Sequence, residues 1–397
     1  NLAERMLALP GLQILKATSF CLTGEMQISP FAVEQWMNEY ENHCDFNLAE
    51  TCVESLTVEE LLDLAGVGRS ALDDILSMKL TYGAIKGSDR LRTAIAALYD
   101  DVAVENVLVT HGAIGANKLV HETLVEPGNA VISVQPTYQQ HYSIPASYGA
   151  KLHILRLRAE NGYLPDLAEL RAMATPDTVL IAINNPNNPT GSLMNAEMLA
   201  EIAEIARASD AYVLCDEVYR GTDQAGSGTS ASIVEVSGRG ISTGSMSKAF
   251  SLAGLRLGWM TAPVDVINAA EVHRDYSTIS VSMINDFLAA IALENADTIL
   301  ERSRSITRTN LAILTDWVEA ESRISWVKPQ SGTTALLQYD SDISSREFCS
   351  SLLRNTGVLF MPGSALESEG SVRIGYANSE QILRDGLAQV SLFLNNL

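Results

Sequence analysis

Between Val107 and Thr243 short apolar runs rich in β-branched residues alternate with stretches whose apolar positions recur at helical spacing. The runs Val107–Thr110, Ala130–Val134, Leu152–Leu157, Thr178–Ile183, Ala211–Cys215 and Ile241–Thr243 are short and almost uniformly apolar. That pattern predicts strands buried on both faces. Helical stretches near 115–125, 166–174 and 195–208 separate several of them. Strands alternating with helices predict an α/β fold whose mainly parallel sheet is covered by helices on both faces. In such sheets ligands sit beyond the carboxyl ends of the strands, so the residues following each strand are the ones to inspect.

The flanks read differently. Ser29-Pro30 ahead of the amphipathic run Phe31 to Tyr40 predicts a capped helix with proline at its first position. Thr57-Val58-Glu59-Glu60 has the spacing of a capping box. A glycine-punctuated connection, Leu80 to Ser88, leads into a helix over 89–99. Past about 290 come a long helix over 296–319, strands near 334–339, 358–361 and 372–375, and helices near 344–355 and 379–396. This predicts a smaller α+β domain to which the first helix returns. The expected divisions are an extension over 1–28, the start of the small domain and a substrate loop over 29–75, a large domain over 76–288, and the rest of the small domain over 289–397.

Charge narrows the partners. With 27 Lys and Arg against 48 Asp and Glu, the net charge of −21 disfavours nucleic acid and anionic membranes. An anionic ligand then needs a local cluster of cations or N–H groups. Five scattered cysteines without a C-x-x-C pair suit free thiols in a reducing cytoplasm. No apolar run approaches 18 residues, and the stretch Met6 to Leu22 is broken by Pro10, Gly11 and Lys16 with no clear cleavage site. Neither a membrane span nor a secretory signal is expected, and no metal-ligand cluster stands out.

The chemistry concentrates after the strands. Ser245-Met246-Ser247-Lys248 follows Ile241 to Gly244, which puts a lysine at a strand end. A lysine amine attacks carbonyls when its neighbours and partial desolvation lower its pKa. Ser245, Ser247 and Arg256 suit a dianionic phosphate, with two hydroxyl donors and one rigid fork of N–H groups. His111-Gly112-Ala113-Ile114 opens a helix whose backbone N–H groups favour an anion. Tyr138 offers an aromatic face to a planar ring. The turn Asn184 to Gly191 holds amides that can donate to a phenolate. Asp216, ending its strand, is costly to bury unless it meets a cation such as a protonated pyridine nitrogen. Each segment alone also fits an ordinary turn, a core aromatic or a surface charge; their joint occurrence in this order favours a site.

Asn188-Pro189-Thr190-Gly191, Asp216-x-x-Tyr219, Ser245-x-x-Lys248 with Arg256 eight residues on, and Arg373 near the carboxyl end together resemble class I/II pyridoxal-phosphate aminotransferases, from about Ser29 to the end. The resemblance implies the aspartate aminotransferase fold: a seven-stranded, mainly parallel sheet, a small domain built from both chain ends, and a homodimer with shared active sites. It implies pyridoxal 5'-phosphate as cofactor, amino acids and 2-oxo acids as substrates, and Lys248 as the Schiff-base lysine and proton shuttle. By the same resemblance Asp216 partners the pyridine nitrogen, Tyr219 and Asn188 donate to the ring's O3′, and Tyr138 stacks on the ring. Ser245, Ser247, Arg256 and the backbone of Gly112, Ala113 and Ile114 hold the phosphate. Tyr82 corresponds to a tyrosine that reaches the neighbouring subunit's phosphate, and Arg373 to the arginine that clamps the substrate carboxylate.

Two departures bear on the reaction. Ala113 and Ile114 stand where many relatives carry hydroxyls, and Phe46 to Thr51 carries Glu50 where relatives usually show a glycine-rich substrate loop. Glu50 is placed to meet a cationic substrate group or to be a solvated charge. The segment Arg274 to Ser280 and the Glu50 loop also resemble enzymes of the capreomycidine-synthase type. Transamination through Lys248 is therefore the leading expectation, elimination or cyclisation the enzyme alternative, and a cofactor-binding regulator without chemistry the alternative of another class.

Overall fold

The computed structural model describes residues 28–397; the expected N-terminal extension lies almost wholly outside them. Among the described residues the strands are β1 (Phe46–Asn47), β2 (Val107–Thr110), β3 (Ala130–Gln135), β4 (Lys151–Arg156), β5 (Thr178–Asn184), β6 (Tyr212–Asp216), β7 (Gly240–Ser245), β8 (Gly258–Thr261), β9 (Ile324–Trp326), β10 (Thr334–Tyr339), β11 (Val358–Leu359), β12 (Met361–Pro362) and β13 (Ser371–Gly375). Seven of them form the central sheet in the order β2, β8, β7, β6, β5, β3, β4. All neighbours are parallel except β8, which runs antiparallel to both β2 and β7. The fold is thus α/β with a mainly parallel sheet, as the hydrophobic pattern predicts.

Burial on both faces explains why these strands read as unbroken apolar runs. Leu108, Val131, Leu180 and Leu214 enter one core, under the helices Gly112–Leu124 and Val264–Asp275. Val109 enters a second core, and Ile132, Ile181 and Val213 a third, on the opposite face. Alternate residues go to opposite faces, and both faces are covered.

The strand β8 is absent from the periodicity reading. Its glycine start is dictated by packing: a Cβ on Gly258 would lie 2.4 Å from the carbonyl carbon of Gly112 and the nitrogen of Ala113. Only glycine lets β8 pass beneath the N-terminus of the helix Gly112–Leu124.

A second layer joins the chain ends. β12, β13, β10 and β9 form an antiparallel sheet, and β1 pairs in parallel with β11. The expected single strand over 358–361 is two short ones, because β11 pairs with β1 whereas β12 pairs with β13. Trp36, Leu48, Phe348, Phe360 and Leu387 share one core here, and Trp36 Nε1 donates to the Phe360 carbonyl at 2.9 Å. The helix Ala296–Ala320 links the layers: Ile299 and Leu300 lie in the core beneath the large sheet, Leu311, Leu314 and Val318 in the other.

The first helix corrects one expectation. It spans Ala32–Tyr40 with Phe31 at its N-cap and no side-chain cap of its own. Gln139, distant in sequence, supplies the cap: its Oε1 accepts from Ala32 N at 2.8 Å while its Nε2 donates to the Pro30 carbonyl at 2.9 Å. The capping box at Thr57 and Glu60 is formed as predicted. Among the described residues no helix is long and apolar enough to cross a membrane.

Candidate active site

Register alone brings the strand-end residues together. Asn184 lies opposite Asp216, and Asp216 opposite Thr243, so three polar residues form one row across β5, β6 and β7. Two residues further along β7, Ser245 pairs with Gly258, which also pairs with Thr110. The turns that follow therefore open on one side of the sheet, around a cavity of about 410 Å³. That size suits a small molecule.

Lys248, Asp216, Tyr219, Asn188, Tyr138, Ser245, Ser247, Arg256, Arg373, Glu50 and the segment Gly112-Ala113-Ile114 all line this cavity. Tyr82 does not; it is 76% exposed in the single chain. A neighbouring cavity of about 460 Å³ is lined by Tyr99, Glu217, Arg220 and Trp259 and has no lysine. Of its three acids, Glu217 accepts from Ser232, from the Ile233 N–H and from Ser242, and Glu294 is paired with Arg90.

Lys248 Nζ donates to Thr51 Oγ1 at 2.7 Å and to Cys52 Sγ at 3.4 Å, and lies 4.0 Å from Glu50 Oε1. Burial pushes its amine down, whereas Cys52, Tyr219 and Glu50 push it up and prevail; of the three only Glu50 is an anion at neutral pH, because burial raises the Cys52 thiol and the Tyr219 phenol. This reverses the expectation of a lowered amine. Glu50 is itself fixed, accepting from the Thr51 and Cys52 N–H groups at 2.6 and 2.8 Å. Burial works to raise its carboxyl, yet Lys248 and those donors outweigh it and hold Glu50 ionised.

Asp216 is 5% exposed and held from three sides. Its Oδ2 accepts from Asn117 Nδ2 at 2.8 Å and lies 3.3 Å from His141 Nε2, while Oδ1 accepts from Val218 N at 3.3 Å. Asn117 is oriented in turn by Thr243, which donates to its Oδ1 at 2.7 Å. Arg373, 3% exposed on β13, donates to Asn188 Oδ1 at 3.2 Å and to the Ala49 carbonyl at 3.0 Å. Its Nε has no partner. The bond to Asn188 uses that amide's oxygen and leaves its Nδ2 as a donor toward the cavity.

At the far end Arg256, in left-handed backbone at φ 49°, donates to Ser247 Oγ at 3.5 Å and to the Ala253 carbonyl at 3.2 Å. Its Nη2 approaches the space a Gly112 side chain would occupy, 3.4 Å from that virtual Cβ. A guanidinium, two hydroxyls and the N-terminal N–H groups of a 13-residue helix thus converge. The donor set fits pyridoxal phosphate: a phosphate cup at one end, a buried carboxylate for a ring N–H at the other, and an amine between them.

Asn117, His141, Thr51, Cys52 and Glu34 also belong to the site and were not foreseen as functional residues. Asn117 left a faint signal, lying in the second turn of a helix that begins at a strand end; His141 and Glu34 left none.

Residues 66–389 match the family described as aminotransferase class I and II. The chain is similar to the capreomycidine synthase of Streptomyces vinaceus, at 31% identity over 93% of this chain and 96% of that one. It is also similar to an arginine–pyruvate transaminase of Pseudomonas aeruginosa, at 27% identity over 83% and 86%. A crystal structure of a PLP-dependent aminotransferase from Streptococcus suis superposes with a TM-score of 0.90 at 41% identity, covering 93% of this chain and 98% of that one. The chain therefore belongs to the class I and II aminotransferase family, and its cofactor is pyridoxal 5'-phosphate.

Proposed function

We propose that this protein moves an amino group between an L-amino acid and a 2-oxo acid, with Lys248 as the group that bonds the cofactor and shuttles the substrate's α-proton. The observation that carries the reading is the convergence of Lys248, Asp216 and the buried Arg373 on one cavity. When bound, pyridoxal phosphate supplies a cationic ring that accepts the electron pair left at the α-carbon. Arg373, buried and already fixed by Asn188 and Ala49, orients the substrate through its carboxylate. Lys248 Nζ, on the turn after β7, would take the α-proton and return it two atoms along, beyond the substrate nitrogen. Asp216 would hold a proton on the ring nitrogen, and Asn117 and His141 keep Asp216 aimed. Tyr219, 2% exposed with its phenol raised by burial, stays a neutral donor.

Purified holoenzyme incubated with labelled amino acids and pyruvate or 2-oxoglutarate is the direct test. Label appearing in a new amino acid is expected; no transfer to any 2-oxo acid removes the transaminase reading. Arg373→Gln should raise KM by roughly 10- to 100-fold, since hydrogen bonds to charged groups contribute about 1.5–3 kcal/mol. A KM unchanged in steady-state assays would leave the carboxylate to another residue.

The raised Lys248 amine makes a further expectation. Only the unprotonated amine attacks an aldehyde, so cofactor uptake by the apoprotein should quicken by about tenfold per pH unit below the amine's pKa. Glu50→Gln removes one anion that holds the proton and should quicken uptake at fixed pH. Stopped-flow absorbance between pH 6 and 9 reads both; a rate that falls with pH contradicts the arrangement.

Elimination or cyclisation is the second reading, supported by the 31% relative and by Glu50 standing 4.0 Å from Lys248. A cofactor-binding regulator fits less well, because lysine, aspartate and arginine are all retained. We further infer a cytoplasmic homodimer in which the partner's Tyr82 reaches the phosphate, in keeping with that side chain's exposure here.

A further inference from the structure

We propose that the side-chain end of this cavity selects an amino acid terminating in a cation, and that Glu34 is the residue that reads it. This rests on the aminotransferase reading of the site and adds the substrate class to it. Among the described residues of this chain the cavity is lined by the cations Lys248, Arg256 and Arg373 and the acids Glu34, Glu41, Glu50 and Asp216. Arg256 belongs to the phosphate end, Arg373 to the carboxylate, and Asp216 to the ring nitrogen. Lys248 is needed at the reacting centre, first to bond the cofactor and then to move the α-proton. Glu34 and Glu41 form no salt bridge among the described residues, and Glu50 has only Lys248, at 4.0 Å.

The placement of Glu34 is built. The ring of Phe31 packs 4.8 Å from that of Tyr138, and Gln139 bonds both the Ala32 N–H and the Pro30 carbonyl. These contacts fasten the first turn of the helix Ala32–Tyr40 to the residues after β3. Tyr138 donates its hydroxyl to Glu34 Oε1 at 2.7 Å. Glu34 Oε2 and Glu50 Oε2 have no hydrogen-bond partner among the described residues, because the bonds to both side chains end on Oε1.

The independent observation is Arg373. At 3% exposure with Nε unpartnered, it marks where an anionic end of a ligand belongs. Glu34 and Glu50 line the same cavity as Arg373, and Arg373 donates to the carbonyl of Ala49, the residue next to Glu50. A substrate held there by its carboxylate extends its side chain past two fixed carboxylates. An acidic side chain is repelled, a neutral one leaves the carboxylates desolvated and unpaired, and a cation completes them.

The test titrates holoenzyme with L-arginine and with L-citrulline, which matches arginine in length and shape without its charge, following the absorbance of the bound cofactor. Arginine is expected to bind at least tenfold tighter. Glu34→Gln keeps an acceptor for Tyr138 and should cut the ratio severalfold with Glu50 still present, and Glu34→Asp should restore part of it. Equal affinities in the native chain, or a ratio untouched in Glu34→Gln, overturn the proposal and leave the parent reading standing. No absorbance response to any α-amino acid removes both.

Discussion

Lys248→Ala is expected to abolish turnover, with a loss of at least about 10⁴-fold, and to leave cofactor that dialysis can remove. Lys248 is the lysine that lines the cavity, and its turn is tied to the substrate loop by hydrogen bonds to Thr51 and Cys52. Losing a positioned acid–base group typically costs 10²–10⁴-fold, and here the same amine also bonds the cofactor, so the two losses compound. The reading is specific to an atom. Borohydride should fix cofactor to the peptide containing Lys248 in the native chain and to no peptide in the variant, by mass spectrometry. Label on another lysine, or near-native turnover in the variant, refutes the assignment. Because Thr51 and Cys52 are hydroxyl and thiol, removing the ammonium leaves no unpaired charge except Glu50, which two backbone donors already hold. Folding is therefore expected to survive the change.

What the chain disclosed beforehand follows from the range of each interaction. Strands buried on two faces are written locally, as unbroken runs such as Thr178–Ile183, and the parallel sheet follows from their alternation with helices. Residues at strand ends are equally legible, since Asn188, Asp216 and Lys248 each follow a run that ends in the sheet. β8 escaped because Gly-Trp-Met-Thr opens on glycine and has no β-branched apolar residue, and its glycine is required by a helix end more than a hundred residues away. The cap of the first helix escaped because Gln139 supplies it across 107 positions. The fixing of Asp216 by Asn117 spans 99 positions and that of Tyr138 by Glu34 spans 104. None has a local signature. Tyr82 was named only through resemblance, and in the single chain it lies exposed and outside the cavity. The direction of the lysine's shift was illegible for a related reason: neighbours and desolvation together were expected to lower it, whereas the neighbours that raise it, Cys52, Tyr219 and Glu50, reach Lys248 only in the fold.

Asp216→Ala separates binding from chemistry. The phosphate end, built from Arg256, Ser245, Ser247 and the helix N-terminus, does not involve Asp216, so cofactor should still bind. Proton removal from the α-carbon should nevertheless slow by at least about 10³-fold, because the ring's electron demand depends on a charge held beside its nitrogen and removing a preorganised electrostatic partner costs about 10²–10³ or more. The alanine variant also strips an acceptor from Asn117 and from the Val218 N–H, a loss of roughly 1–3 kcal/mol in stability. Asp216→Asn removes that ambiguity. It keeps the shape and one of the two oxygen acceptors, giving up the longer bond from the Val218 N–H, but not the charge, so it should fold, bind cofactor and still exchange the α-proton slowly. Deuterium exchange at the α-carbon, read by NMR alongside thermal melts, distinguishes the cases. Slow exchange in both variants with a native-like melt for asparagine assigns the effect to charge. Near-native exchange in Asp216→Asn would mean that the amide oriented by Asn117 suffices, and that Asp216 holds geometry rather than a proton.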